Sequence, residues 1–431
     1  MTINNRRYKQ SHILWEKANS LLLNGVSTFS KSPLYITLGA CPIFAERAKG
    51  AYFWDCDGNR YIDYPLALGP IILGYAYDEV DSAVKRQMSR GFLYSLSNRL
   101  ELELSEILCD IIPSAEKVKI LKTGSEAMSA AVRVARAYTG REIVAVCGYH
   151  GWHDWTITRT VRDAGIPAAL KKLIFEFKYN DLNSLERIFS QNKGKVAAVI
   201  LEPVGMYAPK DNFLSKIAKL ARKNQALLIF DEVITGFRLS LGGAQSYFSV
   251  MPDLSVFGKA MANGYPISVL VGKKEIMNAV ENKVFISSTF GGDLLSITAS
   301  IKTIEILRKR KVNDYILALG QRLKNGLNEA IARYKIDAKC EGLPHKTFLV
   351  FKDMRGVSGK MIETLFRQEC LLNGVFLGYG HFVSFSHTKK DVDYTIGIAS
   401  QVFSIIRQAL DRGDLPSLLQ GKLAVDVFKR Y

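Results

Sequence analysis

The amino-acid sequence reads as an α/β protein. A mainly parallel sheet covered on both faces is joined by a smaller α+β lobe that draws on both ends of the chain. Three observations carry this. Near-continuous apolar runs such as VAAVILEPV (Val196–Val204) and ALLIFDEV (Ala226–Val233) alternate with helical stretches, and strands apolar on both faces belong to parallel sheets. The chain has 431 residues, more than one simple core organises, so two or three domains are expected. The alternation ends near position 320, where a long helical pattern opens a region of short strands and helices. The expected divisions are 1–70 (N-terminal part of the small lobe), 71–320 (large domain) and 321–431 (C-terminal part).

The elements follow in order. HILWEKANSLLL (His12–Leu23) has apolar residues at helical spacing. AYFW and RYIDY flank Asp57-Gly58, the pattern of a hairpin. The Asp-x-Asp-Gly run there lacks the later ligands and closing Glu of a calcium loop. ELELSEILCDII (Glu101–Ile112) is an amphipathic helix stopped by Pro113. VKILK is a strand, and SEAMSAAVRVARAYTG is an Ala-rich helix closed by Gly140. EIVAVCG, VAAVILEPV, ALLIFDEV and PISVLVG supply further strands, with the amphipathic helix DNFLSKIAKLARKNQ between the second and third. GQRLKNGLNEAIARYK is the long helix that opens the C-terminal lobe.

Composition narrows the class. At 48% hydrophobic and 23% charged residues the chain is ordinarily globular. No apolar run is long enough to span a membrane, and the polar, basic start MTINNRRYKQ lacks the apolar core of a signal peptide. A cytoplasmic protein is expected. The six cysteines are scattered without a CxxC pair, which argues against a zinc site and a disulfide framework. His150 and His153 come nearest to metal-ligand spacing but lack completing partners. The net charge of +17 is spread along the whole chain, densest in RKRKV (Arg308–Val312), with no aromatic-interleaved basic stripe. A solvated basic surface, not a nucleic-acid site, is the expectation.

Ligands of open α/β sheets bind at the carboxyl ends of the strands. Three stretches there carry chemistry, and a fourth is singled out by its apolar company. In LKTGSEA a strand ends and Thr123-Gly124-Ser125 open a helix; free N–H groups with a hydroxyl make an anion site, although a plain N-cap has the same sequence. In LLIFDEV, Asp231 ends an apolar strand. A carboxylate there needs a cation, either a protonated heterocyclic nitrogen or an arginine such as Arg238. In CGYHGWHDW, aromatics including Tyr149 follow a strand end and can stack on a flat ligand or on one another. In VFGKAMANGYP, Lys259 sits among small and apolar residues. A desolvated amine there can condense with a carbonyl, or the lysine can snorkel to water. Anion cradle, ring platform, carboxylate and amine together match the phosphate, ring, pyridine nitrogen and aldehyde of pyridoxal 5′-phosphate (PLP).

The same segments resemble the class III aminotransferases of PLP fold type I, closest to the glutamate-1-semialdehyde aminomutase-like branch. The resemblance runs from about Leu14 to about Ile396 and is carried by RAKGAYFWDCDGNRYIDY, TGSEAMSAAVRVARAYTGR, GYHG, VILEPV, LLIFDEVITGFRLSLGGAQSYF and PDLSVFGKAMANGYPISVLVG. It implies a large domain with a mainly parallel sheet of the seven-stranded type. It also implies Lys259 as the Schiff-base lysine, Asp231 at the pyridine nitrogen, Gly124 and Ser125 at the phosphate, Tyr149 against the ring and Val233 on its other face. Thr289, in SSTFGGD, matches a threonine that reaches the phosphate of a neighbouring subunit, which implies a homodimer with shared active sites.

Departures from the family pattern bear on the substrate. EPVGMYAPK lacks the amide that usually approaches the ring hydroxyl, and GVSTFSKSP offers Lys31 where an arginine often grips a carboxylate. GYAYDEV stands for GHAHPEV, and WHDW replaces small residues after GYHG. Lys31, His150 and Glu202 are the candidate substrate contacts. The expected function is transfer of an amino group from an amino-acid donor to an aldehyde or ketone acceptor, itself anionic or polyhydroxylated. The alternative is intramolecular transfer of the glutamate-1-semialdehyde 2,1-aminomutase type. A PLP-binding regulator without turnover would need an appended DNA-binding segment, and no helix-turn-helix stretch lies outside the enzyme-like region.

Overall fold

The computed structural model describes residues 6–426. In chain order its strands are β1 (Ala45–Lys49), β2 (Tyr52–Asp55), β3 (Arg60–Asp63), β4 (Lys117–Leu121), β5 (Ile143–Cys147), β6 (Ile174–Glu176), β7 (Val196–Leu201), β8 (Leu227–Asp231), β9 (Leu254–Gly258), β10 (Ser268–Gly272), β11 (Ala338–Leu343), β12 (Lys346–Phe351) and β13 (Val375–Phe376). The described residues form two compact units. One comprises Gly69–Ile72 and Asp78–Asn313; the other runs up to Leu68, includes Leu73–Tyr77 and resumes at Asp314.

The larger unit is built on a seven-stranded sheet in the order β4-β10-β9-β8-β7-β5-β6. β10 is antiparallel to both its neighbours, and the pairs from β9 to β6 are parallel. Alternate side chains explain the apolar runs. Val144, Val146, Ala198, Ile200, Leu227 and Ile229 enter one buried cluster with Ala127, Ala131 and Val134 of the helix Gly124–Thr139. The residues between them, Ala145, Cys147, Val199, Leu201, Leu228 and Phe230, enter a second cluster with Phe213, Leu214 and Ile217 of the helix Phe213–Lys223. A strand buried on both faces has no polar face to display, so β7 and β8 read as unbroken hydrophobic stretches.

The smaller unit joins both ends of the chain. Its four-stranded sheet has the order β1-β2-β3-β13, and Val375 of β13 lies parallel to Ile62 of β3. The hairpin expected at Ala51–Tyr64 is β2–β3. Asp55 organises its turn: its Oδ1 accepts the N–H groups of Asp57 and Asn59 at 3.1 and 2.7 Å. Gly58 turns the chain at φ +85°. β11 and β12 pair as a separate two-stranded ribbon.

The basic run Arg308–Val312 spans the two-residue break between two helices. The helix Leu294–Lys309 gives way through Arg310 and Lys311 (φ +48°) to a 22-residue helix, Val312–Arg333. Arg308 and Arg310 pair with Asp110 and Glu79 at 2.5 Å on the surface, where such pairs contribute little stability.

Candidate cofactor and active site

Five strand ends surround one cavity of about 310 Å³. β4 leads to Lys122, Gly124 and Ser125; β5 to Tyr149 and His150; β7 to Glu202; β8 to Asp231 and Val233; β9 to Lys259. Convergence at the carboxyl edge is the rule for parallel sheets, because that is where loops open and helix N-termini point.

The first wall is an anion cradle. Thr123 caps the helix Gly124–Thr139, and Glu126 completes a capping box. Glu126 Oε2 accepts the N–H groups of Lys122 and Thr123 at 2.9 and 3.0 Å, and Thr123 Oγ1 accepts that of Glu126 at 3.2 Å. The box leaves aside the N–H groups of Gly124 and Ser125, the first two helical positions, which helix geometry orphans. A Cβ on Gly124 would lie 3.2 Å from a Val233 methyl, so the two walls approach more closely than an alanine would allow without the valine giving way by a few tenths of an ångström. Lys122 turns its amine away, to Asp293 and to Ser296 Oγ at 3.1 Å.

The second wall is Asp231, 6% exposed. Its Oδ1 accepts the N–H of Val233 at 3.1 Å, and its Oδ2 lies 2.8 Å from His150 Nδ1. The arginine weighed as its partner goes elsewhere: Arg238 is wholly buried and donates to the carbonyls of Gly69 and Ile71 at 2.8 and 3.4 Å. Burial pushes the Arg238 guanidinium down to about 9. The adjacent carboxylate, Glu232, serves the fold. It accepts the N–H groups of Ala244 and Gln245 at 2.8 and 2.9 Å and the hydroxyl of Thr235. Burial raises Glu232 while these donors pull it down.

Lys259 opens a 3₁₀ turn after β9 with φ +46°, a left-handed conformation that costs a non-glycine residue about 1–3 kcal/mol. Strain of this kind gathers at functional positions. The lysine is partly buried, not sealed, and lines the cavity. Tyr149 lines it as well; burial and then the charge of Asp231 raise its hydroxyl above the ordinary range.

Not every candidate gathers here. His150 lines the cavity, but Asp231 and the Cys147 carbonyl, 3.2 Å from Nε2, occupy both its ring nitrogens. No polar atom of the ring remains for a substrate, which argues against the role expected for it. Thr289 is exposed and does not line this cavity. Lys31 belongs to the smaller unit, where its charge reaches the buried Asp63. Sequence reasoning missed the His150–Asp231 pair, since nothing in GYHG marks a histidine as buried. It also missed Pro70 and Tyr265 as lining residues.

These residues fit PLP. Two orphan N–H groups suit a phosphate. A carboxylate offers about four lone-pair sites, and only two protein donors reach Asp231 among the described residues. Val233 and Tyr149 can flank a flat ring, and an amine stands on the same cavity wall.

Sheet order, cradle, carboxylate and lysine define an enzyme of the PLP fold type I class. The sequence model of the family described as aminotransferase class-III matches residues 37–343, and the chain belongs to this family. The chain is 40% identical to a 3-aminobutyryl-CoA aminotransferase of Cloacimonas acidaminovorans (strain Evry), over 93% of this chain and 98% of that protein. It is 36% identical to a glutamate-1-semialdehyde 2,1-aminomutase of Acetivibrio thermocellus, over 92% of this chain and 98% of that protein. Among solved structures, the PLP internal aldimine form of the FumI protein of Sphingopyxis sp. MTA144 superposes with a TM-score of 0.87 at 29% identity, covering 95% of this chain and 100% of that one. An omega-transaminase from Sphaerobacter thermophilus shares the fold, with a TM-score of 0.84 at 24% identity over 93% of this chain and 99% of that one.

Proposed function

We propose that this chain is an aminotransferase that moves an amino group from an amino-acid donor to an aldehyde or ketone acceptor, with PLP held at Lys259. The observation that carries this is the meeting of Lys259, Asp231 and the Gly124–Ser125 cradle on one cavity. When bound, PLP would supply the electron sink that stabilises a carbanion at the donor's amine-bearing carbon. Gly124 and Ser125 N–H groups would hold its phosphate. Tyr149 and Val233 would flank the ring, and Asp231 would accept the pyridine N–H and keep that proton in place. Lys259 Nζ would hold the cofactor and, when free, would take the proton from the donor's amine-bearing carbon and give it up again.

Transfer between two molecules is favoured over intramolecular transfer. The relative at 40% identity is an aminotransferase, whereas the Acetivibrio thermocellus aminomutase stands at 36%. EPVGMYAPK also lacks the amide of the aminomutase pattern. The substrate named for the Cloacimonas acidaminovorans protein, 3-aminobutyryl-CoA, is the first donor to assay, and its phosphates suit a chain of net charge +17.

The chain works as a homodimer in which Thr289 reaches the partner's phosphate site. An exposed apolar band supports this. Leu96 and Phe285 are 83% and 80% exposed, and Leu102 and Phe290 are exposed as well. The two segments adjoin, because Glu101 and Leu102 share a groove of about 420 Å³ with Ser287, Ser288 and Gly291. Apolar bands of this kind mark interfaces. The enzyme proposed is cytoplasmic; no described helix is long and apolar enough to cross a membrane, and the cysteines form no disulfide among the described residues, as a reducing compartment favours.

Borohydride reduction followed by peptide mapping tests the cofactor site. A pyridoxyl adduct on Lys259 is expected; an adduct on another residue, or none, defeats the reading. Incubation with amino donors then separates the two reactions. A transferase releases the keto product of the donor, and a mutase releases none.

A further inference from the structure

Two lysines line the cavity, Lys122 and Lys259, and the proposed chemistry uses Lys259 alone. Lys122 directly follows β4 and is tied at both ends. Its N–H donates to Glu126 Oε2 at 2.9 Å, inside the capping box that frames the Gly124–Ser125 cradle. Its ammonium pairs with Asp293 and donates to Ser296 Oγ at 3.1 Å. The pair is largely out of water, with side chains 21% and 10% exposed. A pair so placed holds its geometry better than a surface pair, and removing one partner leaves the other charge poorly solvated.

Asp293 fixes the stretch that carries Thr289. It caps the helix Leu294–Lys309: Oδ1 accepts the N–H of Leu295 and Oδ2 that of Ser296, both at 3.2 Å. Its own N–H donates to the Phe290 carbonyl at 3.2 Å, and the N–H of Gly291 to the Ser288 carbonyl at 3.2 Å. Ser287–Gly292 belongs to no helix or strand, so its position depends on such anchors. A Cβ on Gly291 would lie 3.3 Å from the Ile120 carbonyl oxygen, which sets the stretch against β4. Thr289 lies between these two anchors and is exposed. A helix cap needs only an asparagine or serine at position 293. A carboxylate that also meets an ammonium from β4 adds a tie that the cap does not require. Burial raises the Asp293 carboxyl, but Lys122 and Ser296 outweigh burial and hold it below the ordinary range.

We infer that Lys122 is a positioning residue that acts across the dimer. Through Asp293 it sets the place of Thr289, and so serves the phosphate site of the partner subunit rather than the cavity that it lines. This rests on the reading of Thr289 as a contact to the neighbouring subunit's phosphate.

Lys122→Met removes the charge and keeps an unbranched stem. Asp293→Asn removes the other charge and keeps a helix cap; it serves as the second variant if Lys122→Met does not fold. In equilibrium dialysis of the holoenzyme, either variant should hold PLP about ten-fold more weakly, as loss of one hydrogen bond to a charged group implies. The double variant should be no weaker than the worse single one, since both changes break one tie. Parental retention in a folded variant, or losses that add, removes the tie. Hybrid dimers test the direction. When Lys122→Met is paired with Lys259→Ala, the site that keeps Lys259 draws its Thr289 from the chain whose Lys122 is intact. Mixing should therefore restore activity at limiting PLP. If Lys122 supports its own cavity instead, that site stays weak, mixing restores nothing and the proposal falls. Failure of the underlying reading looks different, since Thr289→Ala paired with Lys259→Ala would then restore nothing either.

Discussion

A Cβ on Gly151 would lie 2.4 Å from Ser125 Oγ, so the loop after β5 and the start of the Gly124–Thr139 helix touch with no room for a methyl group. Gly151 also has φ +107°, a conformation that L residues avoid. The substitution Gly151→Ala should push the loop away from the cradle. A stability loss of about 1–3 kcal/mol is expected, together with weaker retention of PLP. Urea denaturation and equilibrium dialysis measure the two effects; a variant unchanged in both would mean that the contact is not needed.

Asp63 gives a pH-dependent prediction. It is buried, accepts the hydroxyl of Tyr75 at 2.5 Å and the N–H of Leu66 at 3.2 Å, and burial raises it to about 6. The charge of Lys31 opposes that rise without cancelling it. The folded state therefore holds a proton that the unfolded chain gives up near its ordinary value of 3.8. The sign follows: this contribution is whole below about pH 4 and is lost as pH climbs towards 6. Asp63→Asn keeps an acceptor for Tyr75 and removes the titration. It should be more stable than the parent above pH 6 by up to about 3 kcal/mol, with the gap closing towards pH 4. Denaturant melts across that range decide it, and a gap independent of pH would refute it.

The large sheet was legible because its cause is local. Strands buried on both faces cannot hide their apolar runs, and β5, β7, β8 and β10 all surface in the sequence, whereas β9, just before Lys259, did not. Asp231 and the Gly124–Ser125 turn were legible because strand ends mark where ligands bind, and Lys259 because small and apolar residues surround it in the chain. Their partners were not. Arg238 and His150 are equally plausible neighbours of Asp231 in a linear chain; only the fold sends one to the carbonyls of Gly69 and Ile71 and the other to the carboxylate. The roles of Glu232 and Asp55 as backbone anchors were hidden for the same reason. Their N–H partners are set by turns whose closure the side chain itself decides.

Asp231→Asn tests the electrostatic share of catalysis. The amide fills the same space and can still accept, but its charge is gone. It cannot hold the pyridine nitrogen protonated as a carboxylate does. Turnover should fall by about 100- to 1,000-fold, the usual loss for a charge-stabilising group. The adduct on Lys259 should still form. Near-parental turnover in this variant would remove Asp231 from the mechanism while leaving the lysine in place.

Thr289 can be assigned to one subunit or the other by complementation. Lys259→Ala abolishes the amine in its own site, and Thr289→Ala should weaken phosphate retention in whichever site the threonine serves. Each variant alone should be poorly active. If Thr289 serves the partner, a hybrid dimer has one site with Lys259 from one chain and Thr289 from the other, and that site is intact. Co-refolding the two variants should then restore activity above that of either alone, with the gain tracking the hybrid fraction separated by differential tags. If Thr289 serves its own subunit, the hybrid's lysine-bearing site still lacks the threonine and mixing restores nothing. A chain that runs as a monomer at assay concentration would sink the shared-site arrangement before any mixing is done.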